Sequence, residues 1–180
     1  MKIKNIVILA FVVLGFVACE EEEEPATFSQ TQIFDIDNGV FNTNTYIEVA
    51  DAHSGKKISR ADVGNNYGFG YSYVLPDSLI GKDIAVNIDG WVRSGDLSSN
   101  CEFVVSASSK DSILLWQGCG VKNIMKAVNQ WSNLNTVIII PSTLTTKPNI
   151  KITLLAHNID AKSFFDVDDL KVTFYEPTQP

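Results

Sequence analysis

The stretch Ile84-Ala85-Val86-Asn87-Ile88-Asp89-Gly90-Trp91-Val92 constrains the fold more than any other part of the chain. Its apolar residues recur at every second position, the mark of a strand with one face in a core. Shorter runs of the same kind follow at Cys101–Ala107, Ile113–Gln117, Val137–Ile140, Ile150–Leu154 and Leu170–Phe174. Earlier strands are expected near Tyr46–Val49 and Tyr67–Leu75. The polar stretch Ser108–Ser112 suits a hairpin turn. Val121 to Trp131 reads as a short helix or an ordered loop. Many short strands without a long amphipathic helix predict an all-β, antiparallel β-sandwich.

The chain has 180 residues, which suits one domain rather than two. Hydrophobic residues make up 45% and charged residues 19%, enough for a core and too apolar for wholesale disorder. The net charge of −7 is concentrated in the run Glu20–Glu24, and no basic stripe exists. Nucleic acid is therefore an unfavourable partner.

Met1-Lys2-Ile3-Lys4 is a short cationic segment, and Ile6 to Val17 is apolar without a charge. That length matches a signal peptide, whereas a spanning helix needs about 20 residues. Phe16-Val17-Ala18-Cys19 resembles a lipobox, with Phe16 where leucine is usual. The resemblance implies removal of residues 1–18 and lipidation of Cys19, which anchors the chain to a membrane. Residues 19–27 then form the lipidated cysteine and an acidic tether, because five successive carboxylates repel one another and stay extended. Pro25 stops any helix the glutamates begin. The acidic run also resembles an export signal of surface lipoproteins, which implies a lipid-anchored, surface-exposed outer-membrane location. Residues 28–180 remain as a single β-sandwich domain.

With Cys19 committed, Cys101 and Cys119 stand symmetrically about Lys110. A hairpin turn centred there places them opposite one another, at the ~4.5 Å Cα spacing of a non-hydrogen-bonded pair. An oxidising location permits a disulfide. The alternative is two buried thiols. His53 and His157 show no zinc-ligand spacing relative to the cysteines.

Three stretches carry a family resemblance. Ala52-His53-Ser54-Gly55-Lys56 resembles the "SGK" turn of jelly-roll carbohydrate-binding modules with a galactose-binding-like fold. Gly90-Trp91-Val92-Arg93 resembles the strand that follows a phrase such as Leu79-Ile80-Gly81-Lys82 in those modules. Phe165-Asp166-Val167-Asp168-Asp169-Leu170 resembles their closing strand, and Trp131 precedes Val137–Pro141 much as a tryptophan does in the family. The resemblance implies a jelly roll of eight to ten strands, a polysaccharide or oligosaccharide ligand, and often one structural Ca²⁺. Carried over by motif, the ion falls to Asp168, to carbonyls at Ser54 and Lys56, and to an early acid, Asp35, with Asp37 nearby. A mixed carboxylate and carbonyl set suits calcium. The plainer reading makes Asp166, Asp168 and Asp169 solvated charges at a strand edge.

Parity offers a ligand face. Ile84, Val86 and Ile88 point one way, and Asn87, Asp89, Trp91 and Arg93 the other. An aromatic plate beside hydrogen-bonding groups is what a sugar needs. Trp116, opposite in parity to Leu115, extends that face; the alternative makes both tryptophans core residues. The stripe Tyr67, Phe69, Tyr71 and Tyr73 reads as a packed sheet face. No nucleophile elbow, metal-ligand helix or phosphate-binding loop is present, so no enzyme activity is expected. The expected function is non-catalytic glycan binding. The alternatives are an adhesive or envelope-structural role with protein partners in a surface complex, which calls for a flat apolar patch, and, further off, a glycoside hydrolase.

Overall fold

The structure, a computed structural model, describes residues 28–38 and 45–177. The expected leader, Cys19 and the acidic tether lie outside the described residues. Among the described residues, ten strands form two antiparallel sheets. In chain order they are β1 (Ser29–Phe34), β2 (Tyr46–Glu48), β3 (Lys57–Ala61), β4 (Tyr67–Val74), β5 (Ile84–Ser94), β6 (Cys101–Ser109), β7 (Ser112–Gly120), β8 (Ser132–Ile140), β9 (Ile150–Asn158) and β10 (Phe165–Tyr175). The larger sheet runs β2-β3-β10-β5-β8, with β1 also paired to β10. The smaller runs β4-β9-β6-β7. The all-β sandwich follows as expected, and the segment 121–131 is a loop of turns.

Alternation explains the core. On β5, Ile84, Val86, Ile88 and Val92 turn inward, and all four are fully buried. From the smaller sheet, Phe103, Val105, Ala107, Ile152, Leu154 and Ala156 meet them. Phe34, Phe69, Phe165 and Phe174 fill the space between the layers. Phe174 stacks on Tyr73, ring centroids 4.4 Å apart, and the Tyr73 hydroxyl donates to Gln30 Oε1 at 2.8 Å. The aromatic ring is thus buried while its polar end keeps a partner.

β10 changes phase midway. Phe165 and Val167 point inward, and so do Leu170, Val172 and Phe174, which requires one extra residue between the two sets. The register shifts between Asp168 and Lys171, and Asp169 takes a φ of 48°, the left-handed conformation of a β-bulge. β5 accommodates the bulge with Gly90. A Cβ there would lie 2.6 Å from Leu170 Cδ2 and 3.3 Å from the carbonyl oxygens of Asp168 and Asp169. Leu170 is fully buried and has nowhere to swing. Gly90→Ala is expected to destabilise the domain by about 1–3 kcal/mol, as overpacking does. An unchanged urea midpoint would show that the bulge relaxes freely.

The expected disulfide is not formed. Cys101 and Cys119 are free thiols, the first buried and the second half-buried. The hairpin pairs Ser109 with Ser112, so its turn centres between Lys110 and Asp111 rather than on Lys110. A further register shift beyond Ser108 then sets Ala107 against Leu115. Together the two offsets put Cys119 opposite Phe103, while Cys101 pairs with Asn158 on β9. Burial pushes the Cys101 thiol up to about 11.

Candidate functional site

The outer face of the larger sheet carries Asn87, Asp89, Trp91 and Arg93, as parity predicts, but the chain has built over much of it. The turn at 51–56 folds onto Trp91. His53 stacks on the indole at 3.9 Å with an interplanar angle of 15°, and Trp131 meets His53 edge-on at 5.9 Å. Arg93 is 2% exposed and is no ligand contact. Its Nε donates to Asp166 Oδ2 at 2.9 Å, its Nη1 to Asp51 Oδ2 at 2.6 Å, and its guanidinium lies 4.6 Å from the Trp131 ring centre. Arg60 adds two bonds to Asp166, at 2.6 and 2.7 Å. Asp89 accepts from Asn133 and Asn135, each at 3.3 Å. Apart from Asn87, whose buried Oδ1 has no hydrogen-bond partner, these groups already satisfy one another, so the face holds its own loop.

The residues expected to hold calcium sit at the same turn. Asp168, 1% exposed, accepts the backbone N–H groups of His53 and Ser54 on Oδ2 and that of Asp169 on Oδ1. Burial above all, helped by the adjacent Asp169 charge, pushes its carboxyl above the usual carboxylate range. Asp37, not Asp35, reaches the turn: its Oδ1 takes the N–H of Lys56 at 2.8 Å and of Lys57 at 3.1 Å. Asp35 instead caps its own loop through Asp37 N and Asn38. The Lys56 carbonyl accepts from Val49 N in the β2–β3 hairpin. Asp169 bonds His53 Nδ1 and Ser54 Oγ, both at 2.7 Å. The carboxylates thus face N–H and O–H donors rather than an oxygen cage. No group of three or more His, Cys, Asp or Glu residues that could hold a metal occurs among the described residues. As arranged, this donor set does not fit Ca²⁺. A bound ion at a hundred times its dissociation constant adds ~2.7 kcal/mol, worth roughly 5–10 °C in a domain of this size. Chelation is therefore expected to leave the thermal midpoint in place, and a fall of that size would overturn the assignment.

The outer face of the smaller sheet is open, and there the exposed aromatics gather. Trp116 does not extend the Trp91 face; β7 carries it on the opposite side of the sandwich. It is 45% exposed, and Tyr67 is 44% exposed. The register shift between Tyr67 and Gly70 breaks the tyrosine stripe. Phe69, Tyr71 and Tyr73 pack toward the core, whereas Tyr67 pairs with His157 and turns out. The Tyr67 and His157 rings stack at 4.7 Å with an angle of 8°, and Trp116 meets His157 edge-on at 6.3 Å. His157 Nδ1 bonds Glu102 Oε1 at 3.0 Å.

The ladder sets out this face in rows. Tyr67, His157, Glu102 and Gly120 form one; Gly70, Leu155, Val104 and Gly118 the next; Ser72, Thr153, Ser106 and Trp116 the third. Val104 points outward yet is fully buried, so its neighbours on this face close over it. The Ser72 and Thr153 hydroxyls bond each other at 3.1 Å. The result is a shallow apolar strip with glycine at both ends, aromatic rings along it and hydroxyls beside it. Tyr67, His157 and Glu102 were missed in sequence, because only the ladder brings residues from three strands into one row.

No protein-family model matches the chain, and no curated protein matches it. Solved structures do resemble it. The CBM22-1 xylan-binding domain of Paenibacillus barcinonensis Xyn10C superposes with a TM-score of 0.50 at 15% identity, over 86% of this chain and 100% of that one. The Stig cyclase Fisc from Fischerella sp. TAU gives 0.44 at 13% identity, over 89% and 93% of the two chains. The C-terminal CBM6 of LamC from Zobellia galactanivorans gives 0.43 at 13% identity, over 80% and 99%. The first of these likenesses shows the fold: a β-sandwich of the jelly-roll kind found in carbohydrate-binding modules.

Proposed function

We propose that the chain is a lipid-anchored, surface-exposed glycan-binding protein whose ligand lies across the outer face of the β4-β9-β6-β7 sheet. One observation carries the reading: Tyr67, His157 and Trp116 form an exposed aromatic strip beside hydroxyl-bearing side chains. Sugar C–H faces stack on aromatic rings while their hydroxyls need polar partners, and this face supplies both. The likeness to a xylan-binding domain supports the same reading. The four strands carry a single carboxylate, Glu102. Glycoside hydrolysis ordinarily uses two, so binding suits the face better than cleavage.

A second reading, adhesion to a protein partner, has Ile33, Val137 and Ile139 in its favour. They are 75%, 47% and 43% exposed on the outer side of the larger sheet. The test is affinity electrophoresis of residues 26–180 in gels cast with single polysaccharides. Retardation by one glycan class supports the proposal. A folded domain that no glycan retards returns the choice to the adhesive reading.

A further inference from the structure

We infer that the face selects uncharged glycans, and that Glu102, held by His157 above Gly118, is the residue that makes it do so. The inference rests on the glycan-binding reading. Glu102 points along its strand over β7 rather than out into water. A Cβ on Gly118 would lie 1.8 Å from Glu102 Oε2 and 2.6 Å from its Cδ. The carboxylate thus fills the space that a side chain at 118 would take, in the row next to Trp116. Its Oε1 is held by His157 Nδ1, and its side chain is 18% exposed. Oε2 lies over Gly118, in the row next to Trp116.

A fixed carboxylate beside an aromatic plate does two things. It accepts a hydroxyl hydrogen bond of the stronger, charge-assisted kind. It also repels a second carboxylate laid on the same plate. No Lys or Arg on these strands lies near the rings to offset that repulsion. Lys151 is the only Lys or Arg of the four strands. It pairs with Val74 and Ser108 at the far end of β9, six residues from His157, about 20 Å along the strand. A uronate-rich polymer would therefore meet a negative charge that no Lys or Arg of the sheet offsets, whereas a neutral one gains a hydrogen bond.

Two variants separate this role from mere packing. Gly118→Ala forces the carboxylate aside without changing any charge, and Glu102→Gln removes the charge without filling the space. The experiment is affinity electrophoresis in arabinoxylan, mixed-linkage β-glucan and galactomannan on one side, and polygalacturonate and alginate on the other. The wild-type domain is expected to be retarded by a neutral polymer and not by either acidic one. Gly118→Ala and Glu102→Gln should each weaken neutral binding roughly tenfold, the worth of one charge-assisted hydrogen bond. Glu102→Gln should also narrow the gap between neutral and acidic polymers. Equal retardation of the wild type by acidic and neutral polymers overturns the inference and leaves the glycan-binding reading standing. So does unchanged neutral binding in Gly118→Ala. Retardation by none of the five overturns both.

Discussion

Asp166→Ala is expected to destabilise the domain by about 3–5 kcal/mol, the usual result of breaking a buried ion pair from one side. Asp166 is fully buried between two guanidiniums, and the Arg93 side chain is 3% exposed. Losing the carboxylate leaves the Arg93 charge inside the protein with only Asp51 to answer it. Arg60, 24% exposed, can turn to water, so Arg93 carries most of the cost. The outer partner provides the contrast. Asp51 is 71% exposed, and Asp51→Ala should cost under about 1 kcal/mol, as surface bridges do. Small domains are stable by only about 5–15 kcal/mol, so the first variant loses a large share of its stability and the second very little. Urea unfolding of both decides the matter. Similar losses would mean that the pair at Asp166 is no more buried in effect than the pair at Asp51.

Trp116→Ala is expected to weaken retention of the domain by its glycan at least tenfold, the scale of an aromatic anchor in a binding site. The fold should survive, because the ring is 45% exposed and sits on the terminal strand of its sheet. Trp91→Ala should do the reverse. Its ring is half-buried under His53, which Trp131 in turn meets edge-on, so its loss should lower stability by about 1–3 kcal/mol. The folded fraction should bind as before. Loss of retention with unchanged stability in Trp91→Ala would move the ligand to the larger sheet and sink the site proposed here.

The two tryptophans also show what the sequence contains and what it hides. Alternation along β5 assigns Trp91 and Arg93 to the outer face correctly, since a strand's own periodicity is local information. It is silent about what comes to lie on that face. The turn at 51–56 reaches it from a distant part of the chain, tied by Asp51, Asp166, Asp168 and Asp169. Trp116 was placed with Trp91 because parity names a side of a strand but not the sheet the strand joins. The remaining misses are local breaks in period. One bulge turns Tyr67 away from Phe69, and a register shift in the β6–β7 hairpin separates Cys101 from Cys119. A third, at Asp168–Leu170, has a visible trace: the inward residues move from odd to even numbers between Val167 and Leu170.

β10, the last of the described strands in chain order, occupies the middle of the larger sheet. It pairs with β5 along one edge and with both β3 and β1 along the other. The larger sheet therefore cannot be completed before β10 is made: the β5–β8 pair stays unjoined to β3 and β1 until then. Such topology folds slowly, because distant segments must meet before any contact rewards them. The same connectivity that sets the finished sheet keeps its two halves apart until the central strand joins them.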